Sequence, residues 1–126
     1  MAGIKSFTDI PQSKKLAEFL PLESADMYWK NAVYDKYIQC FTPFVIDDYR
    51  SNVDFDYDIP CWSLAALLGV LPIIENYYAE IRCVNNRFCC CYTHKQHIGD
   101  LYWRYAGNPV DACYEMIIKL NELKML

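Results

Sequence analysis

The stretch Asn108-Pro-Val-Asp-Ala-Cys-Tyr-Glu-Met-Ile-Ile-Lys-Leu-Asn-Glu-Leu-Lys-Met-Leu126 closes the chain and reads as an amphipathic helix with a marked start. Asn108 suits the N-cap, where its side-chain oxygen can take a backbone N–H that has no partner in the helix. Pro109 fits the first helical position, where no N–H is needed. Asp111 lies in the first turn, where the helix dipole favours an acid, and Lys119 and Lys124 lie towards the opposite end. Val110, Cys113, Met116, Ile117, Leu120 and Leu123 recur at spacings of three and four, so they share one face. A face of that kind must cover something, and the segment before it supplies a sheet. Ala79, Ile81 and Cys83 alternate with Glu80 and Arg82. Asn85-Asn86 is a tight-turn pair, because asparagine tolerates positive φ. Arg87 to Thr93 reads as the return strand. His94 to Asp100, with Gly99, connects to a third strand, Leu101 to Ala106. The expected fold is α+β: a small antiparallel sheet of three or more strands, packed by about three helices, with the C-terminal helix on one face.

Towards the N-terminus the pattern supports two more helices. One spans Pro11 to Leu20, with Leu16, Ala17, Phe19 and Leu20 as its buried side, and Pro21 stops it. The other spans Cys61 to Leu71 between Pro60 and Pro72. It is apolar nearly all round, the pattern of a central buried helix, with Ser63 in its first turn. From Glu23 to Asp58 aromatics and acids alternate irregularly. The acidic stretch Asp47 to Asp58 is expected to be an exposed excursion or a short edge strand. The 126 residues fit one domain, 1–126.

Composition narrows the function classes. Hydrophobic residues make up 54% and aromatics 16%, with eleven tyrosines, which excludes a disordered chain. A net charge of −4 and a pI near 5.0 argue against nucleic acid as a partner, since that needs a basic patch. The oiliest run, Cys61 to Ile74, is shorter than the roughly 20 residues of a membrane span and contains Pro72. Met1 to Ile10 lacks the apolar segment of a signal peptide, so no membrane partner is expected and the cytoplasm is the expected compartment. Seven cysteines, an odd number that includes the adjacent Cys89, Cys90 and Cys91, fit reduced thiols rather than a disulfide framework.

Three constellations carry candidate chemistry. Cys89, Cys91, His94 and His97 are natural zinc ligands. With Asn85-Asn86 as the turn, Val84 pairs with Arg87, Cys83 with Phe88 and Ile81 with Cys90. Alternation then turns Cys89 and Cys91 outward beside Glu80 and Arg82, while Cys90 faces the other way, so the triple cannot chelate as a unit. Small strand-filling thiols and loop histidines are the plainer reading. A thiolate nucleophile at Cys91 would need His94 as base, and no third orienting group accompanies them. The remaining constellation is aromatic and basic: Arg82, Tyr92, Tyr102, Trp103, Arg104 and Tyr105, near Tyr77 and Tyr78. Tyrosine, tryptophan and arginine together can stack on a ring and hold its phosphate, and they equally suit a protein–protein surface. Strict alternation would put Leu101, Trp103 and Tyr105 on one face and Tyr102 and Arg104 on the other. Asp54, Asp56 and Asp58 lack the glycine and terminal glutamate of a calcium loop and read as a solvated face. No phosphate-cradling glycine loop, dinucleotide motif or nucleophile elbow is present, and no cofactor is expected.

Three blocks, Pro21 to Trp29 (PLESADMYW), Ile59 to Pro72 (IPCWSLAALLGVLP) and Asn108 to Leu123 (NPVDACYEMIIKLNEL), resemble a group of small hypothetical proteins from Bacteroides-type gut bacteria and their phages. The resemblance implies a cytoplasmic protein of a phage or mobile element, with a helical frame around a sheet. It carries no residue roles. The expected function is that of a non-enzymatic accessory binding protein. In its specific form it counters host defence by sequestering a nucleotide-type immune signal, in a pocket that a homo-oligomer could frame. The alternatives are a protein-binding inhibitor or adaptor acting on a host protein, and a cysteine- or zinc-dependent activity.

Overall fold

The chain's computed structural model describes residues 4–35, 38–46 and 57–126, with side chains described outside 31–42. The backbone packs as two compact units, Phe7–Ser63 and Met1–Ser6 with Leu64–Leu126.

In the unit Phe7–Ser63, helix α1 (Ile10–Ala17) opens with a capping box. The Gln12 N–H donates to Asp9 Oδ1 at 2.9 Å, and the Asp9 N–H donates to Gln12 Oε1 at 3.1 Å. Pro11 sits in the first turn, as expected, and Ser13 and Leu16 are buried. The regular helix stops at Ala17, short of Leu20, and the Phe19 and Leu20 N–H groups close onto the Leu16 carbonyl. Strand β1 (Met27–Asp35) is the centre of an antiparallel sheet with β2 (Ile38–Val45) and β3 (Ile59–Cys61) at its edges. This sheet lies where the sequence showed no period. Both faces of β1 carry aromatics: Tyr28 stacks on Phe44, and Trp29 meets Phe7 edge-on at 5.6 Å. Such a strand has no polar side to alternate with. Pro43 and Pro60 are tolerated because both lie on edge strands.

Cys61 pairs with Met27 in β3, so the expected helix Cys61 to Leu71 is corrected to α2 (Leu64–Val70). Tertiary pairing overrides local propensity there. Trp62 is fully buried and its indole donates to Ser24 Oγ at 2.9 Å. Asp26 accepts the Ser63 N–H at 2.9 Å and the Ser63 hydroxyl, so Ser63 stands just before the helix. Thr8 satisfies the buried polar groups: its hydroxyl bonds Ser13 at 2.8 Å and accepts the Trp62 N–H at 3.1 Å. Asp47, Asp48, Asp54 and Asp56 lie outside the described residues. Asp58 is no solvated acid, since it is buried and paired with Lys30 at 3.2 Å.

In the second unit, β4 (Tyr77–Val84), β5 (Arg87–His94) and β6 (Asp100–Ala106) form an antiparallel sheet in that order. Asn85 and Asn86 take φ of 51° and 63°, the doubly left-handed turn that suits a two-residue hairpin. The register is the expected one: Val84 with Arg87, Cys83 with Phe88 and Ile81 with Cys90. Helix α3 (Pro109–Glu122) follows, with Asn108 Oδ1 accepting the Asp111 N–H at 2.8 Å. Its Val110, Cys113, Met116, Ile117 and Leu120 are fully buried, and it packs on β5 and β6. Burying each such side chain contributes roughly 1.5–3 kcal/mol relative to exposure. Lys124, at φ 58°, ends the helix, with the Met125 N–H closing onto the Leu120 carbonyl. Helix α2 packs on α3 and buries Leu67 but leaves Leu68 39% exposed, so it is not the central buried helix its composition suggested. Two turns are too short to bury an all-round apolar surface from one side. No helix among the described residues is long and apolar enough to cross a membrane.

Candidate functional site

The sheet β4–β5–β6 has one face towards α3 and one away from it. Cys90 contacts Cys113 of α3 and so marks the inner face. Tyr92 shares that parity, is fully buried, and donates its hydroxyl to the Pro72 carbonyl at 2.8 Å. The opposite parity forms the outer face: Glu80 and Arg82 from β4, Cys89, Cys91 and Thr93 from β5.

On β6 the alternation breaks. Cys91 pairs with Trp103 and Tyr92 with Leu101, which leaves Tyr102 as an extra residue with φ 51°. A bulge of this kind re-aims the side chains beyond it, and a non-glycine residue held at positive φ costs on the order of 1 kcal/mol or more. Its consequence is that Leu101 and Trp103 do not share a face, contrary to strict alternation. Leu101 lies with Tyr92 on the inner face, while Trp103 and Tyr105 join the outer one.

Arg82 organises the outer face. It holds Asp100 through two bonds, Nη1 to Oδ2 at 2.8 Å and Nη2 to Oδ1 at 3.1 Å. Its Nη2 also donates to Thr93 Oγ1 at 2.7 Å, and its Nε lies 3.3 Å from Glu80 Oε1. The Thr93 hydroxyl in turn donates to Glu80 Oε2 at 2.7 Å. These bonds set the charge states. The Thr93 hydroxyl and then Arg82 hold the Glu80 carboxyl below the usual range. Arg82 does the same to Asp100, and Asp100 with Glu80 raises Arg82. Beneath this network burial pushes the Cys91 thiol up to about 11, so it is a thiol at neutral pH.

Two depressions flank Trp103. The first, about 290 Å³, has Cys89 in its lining, with Arg82 and Val84 from β4 and Trp103 and Tyr105 from β6. The second, about 360 Å³, is bounded by Leu101, Tyr102, Arg104 and Lys119. Trp103 and Asp100 line both. Trp103 is 54% exposed and Tyr105 47%, and the Arg87 guanidinium lies 5.4 Å from the centre of the Tyr105 ring. Among the described residues neither Arg104 nor Lys119 forms a salt bridge; Arg104 donates only to the Trp103 carbonyl, at 2.8 Å.

Of the six residues expected to bind a ligand, Arg82, Trp103 and Tyr105 meet at the first depression, and Tyr102, Trp103 and Arg104 at the second. Tyr92 is separate, on the inner face. Burial raises its phenol above the ordinary value. Lys119 and Asp100 were not singled out in the sequence. Lys119 reads there as a helix-end charge, and Asp100 as a turn residue. The candidate zinc ligands do not converge. Cys89 and Cys91 are buried on the outer face, His94 packs edge-on against Tyr77 at 5.1 Å, and His97 sits in the turn with φ 57°. Among the described residues no group of three or more His, Cys, Asp or Glu side chains is placed to hold a metal ion.

No family model, curated protein or solved structure matches this chain.

Proposed function

We propose that this chain is a non-enzymatic binding protein for a nucleotide-type ligand, and that Trp103 is its platform. The observation that carries the reading is the position of Trp103 between two depressions of different chemistry. A flat ring stacks on the indole within the first depression, against Tyr105 and over Cys89. The phosphate lies in the second, where Arg104 and Lys119 offer charge that no carboxylate takes up among the described residues. Arg82 is not the phosphate ligand, because Glu80 and Asp100 already neutralise it. Its role is to hold Asp100 at the junction, where a carboxylate with spare lone pairs can accept from a ribose hydroxyl. In the setting the sequence resemblance implies, such a protein would act by sequestration of a host signal.

Isothermal titration against a panel of cyclic and ADP-ribose-type nucleotides tests this. Base–aromatic stacking is worth roughly 1–3 kcal/mol, so Trp103→Ala should weaken binding by about one to two orders of magnitude. Absence of heat across the panel would overturn the reading. A second reading, docking of a host protein, is favoured by the exposure of Val84, Trp103 and Tyr105 side by side. It predicts no nucleotide heat, and capture of one host protein that is lost in Trp103→Ala.

A further inference from the structure

A sheet edge that nothing covers presents unpaired backbone groups, and proteins normally blunt such edges. In the sheet β2–β1–β3, both edge strands carry a proline, Pro43 and Pro60. In the sheet β4–β5–β6, the β6 edge carries the bulge at Tyr102. The β4 edge has none of these devices. It runs Tyr77-Tyr-Ala-Glu-Ile-Arg-Cys-Val84 in unbroken register with β5, without proline, glycine or bulge. Among the described residues no strand lies on its other side. None of its residues is buried, including the inward-facing Ala79 and Ile81, because α3 covers β5 and β6.

We propose that β4 pairs antiparallel with β4 of a second copy of this chain, about a two-fold axis at Ile81, and joins the two sheets into one. Three features of the strand fit that register. The two-residue turn makes Val84–Arg87 a hydrogen-bonded pair, so the even-numbered residues of β4 bond to β5. The backbone groups of Ala79, Ile81 and Cys83 therefore point to the open edge. The Tyr77 N–H shows the same direction, since it leaves the sheet to bond the Ile74 carbonyl. Centring on Ile81 sets Ile81 against Ile81 of the partner subunit and Ala79 against Cys83 of the partner subunit, each as a hydrogen-bonded pair. Apolar inner faces that α3 leaves half-covered then cover each other.

The outer face of the strand is complementary to itself in charge. In the same register Glu80 opposes Arg82 of the partner subunit, and Arg82 opposes Glu80 of the partner subunit, so the Glu80–Arg82 pair already formed within each strand meets its counterpart with unlike charges facing. These are non-hydrogen-bonded pairs, where Cα atoms approach to about 4.5 Å and side chains interact best. A shift of the axis by one residue, to between Ile81 and Arg82, would set Glu80 against Cys83 and lose both facings of unlike charge. The register also brings Tyr78 of the partner subunit beside Val84, at the wall of the first depression. That consequence rests on the ligand reading; the interface does not.

Sedimentation and native mass spectrometry of the unaltered protein test the proposal together with residue-resolved hydrogen exchange. The expected result is a dimer in which the Ala79, Ile81 and Cys83 amides are protected along with those of Glu80 and Arg82. Ile81→Pro should yield a folded monomer, because the Ile81 N–H takes no part in the ladder with β5. Circular dichroism checks that it folds. A monomer in the unaltered protein, or rapid exchange at Ala79 and Ile81 within a dimer, would overturn the proposal. So would a dimer that survives in folded Ile81→Pro.

Discussion

Replacing Tyr92 by phenylalanine separates packing from recognition in this molecule. Tyr92 belongs to the same aromatic and basic constellation as the proposed platform, yet its ring is fully buried on the α3 side and its hydroxyl bonds the Pro72 carbonyl at 2.8 Å. Removing the oxygen leaves the ring in place and deprives that carbonyl of a donor. A typical intramolecular hydrogen bond contributes about 0.5–1.5 kcal/mol, and an abandoned buried acceptor adds to the loss. Pro72 is only half-buried, so water can partly replace the donor. The expected cost is therefore about 1 kcal/mol. For a chain of 126 residues unfolding as one, the specific entropy of unfolding is about 0.26 kcal/mol/K in total, and Tm should fall by about 4 °C. Urea unfolding followed by circular dichroism gives the stability, and nucleotide titration of the same preparation gives the affinity. The variant should lose stability and keep its affinity. Unchanged stability with lost affinity would refute the assignment of Tyr92 to the core, and with it the facing of β5.

Other outcomes follow from the same structure. Asn108→Ala removes the cap that accepts the Asp111 N–H, and should destabilise the protein by about 1 kcal/mol in chemical denaturation. Glu80 and Asp100 both titrate below the ordinary carboxylate range, so their contribution to stability is present above the unfolded value of about 4. It should disappear as pH falls through the depressed folded values; melting profiles of Arg82→Gln should show a weaker acid dependence than those of the unaltered chain. Cys83 is exposed, while Cys89, Cys90 and Cys91 are buried, and Cys91 titrates near 11. Iodoacetamide at neutral pH should therefore label Cys83 ahead of the triple in the Ile81→Pro variant, where no partner strand covers it, as read by peptide mass mapping.

The parts of the fold that could be read from sequence are those where one residue type has one physical use. Asn108-Pro109 can start a helix, and Asn85-Asn86 can adopt two consecutive positive φ values, so α3 and the β4–β5 register were both legible. Strands β1 and β2 were not, because Tyr28 and Trp29 place aromatics on both faces and Pro43 argues against a strand unless the edge is known. The Cys61 end of the α2 segment misled for a related reason: its apolar run serves a strand pair with Met27 before it serves a helix. At the site, the pairing of Arg82 with Glu80 follows from strand alternation. The bulge at Tyr102 does not, since no glycine or proline announces it, and without it Leu101 and Trp103 would share one face. Lys119 enters the site only through tertiary packing that brings the end of α3 beside β6.

The decisive measurement is an NMR titration of the protein with ADP-ribose, followed at side-chain signals. The indole N–H of Trp103 should shift together with the Arg104 guanidinium and the Lys119 ammonium, while the buried indole of Trp62 and the ring of Tyr92 stay in place. Shifts confined to residues 7–63, or none at saturating ligand, would contradict a nucleotide platform at Trp103.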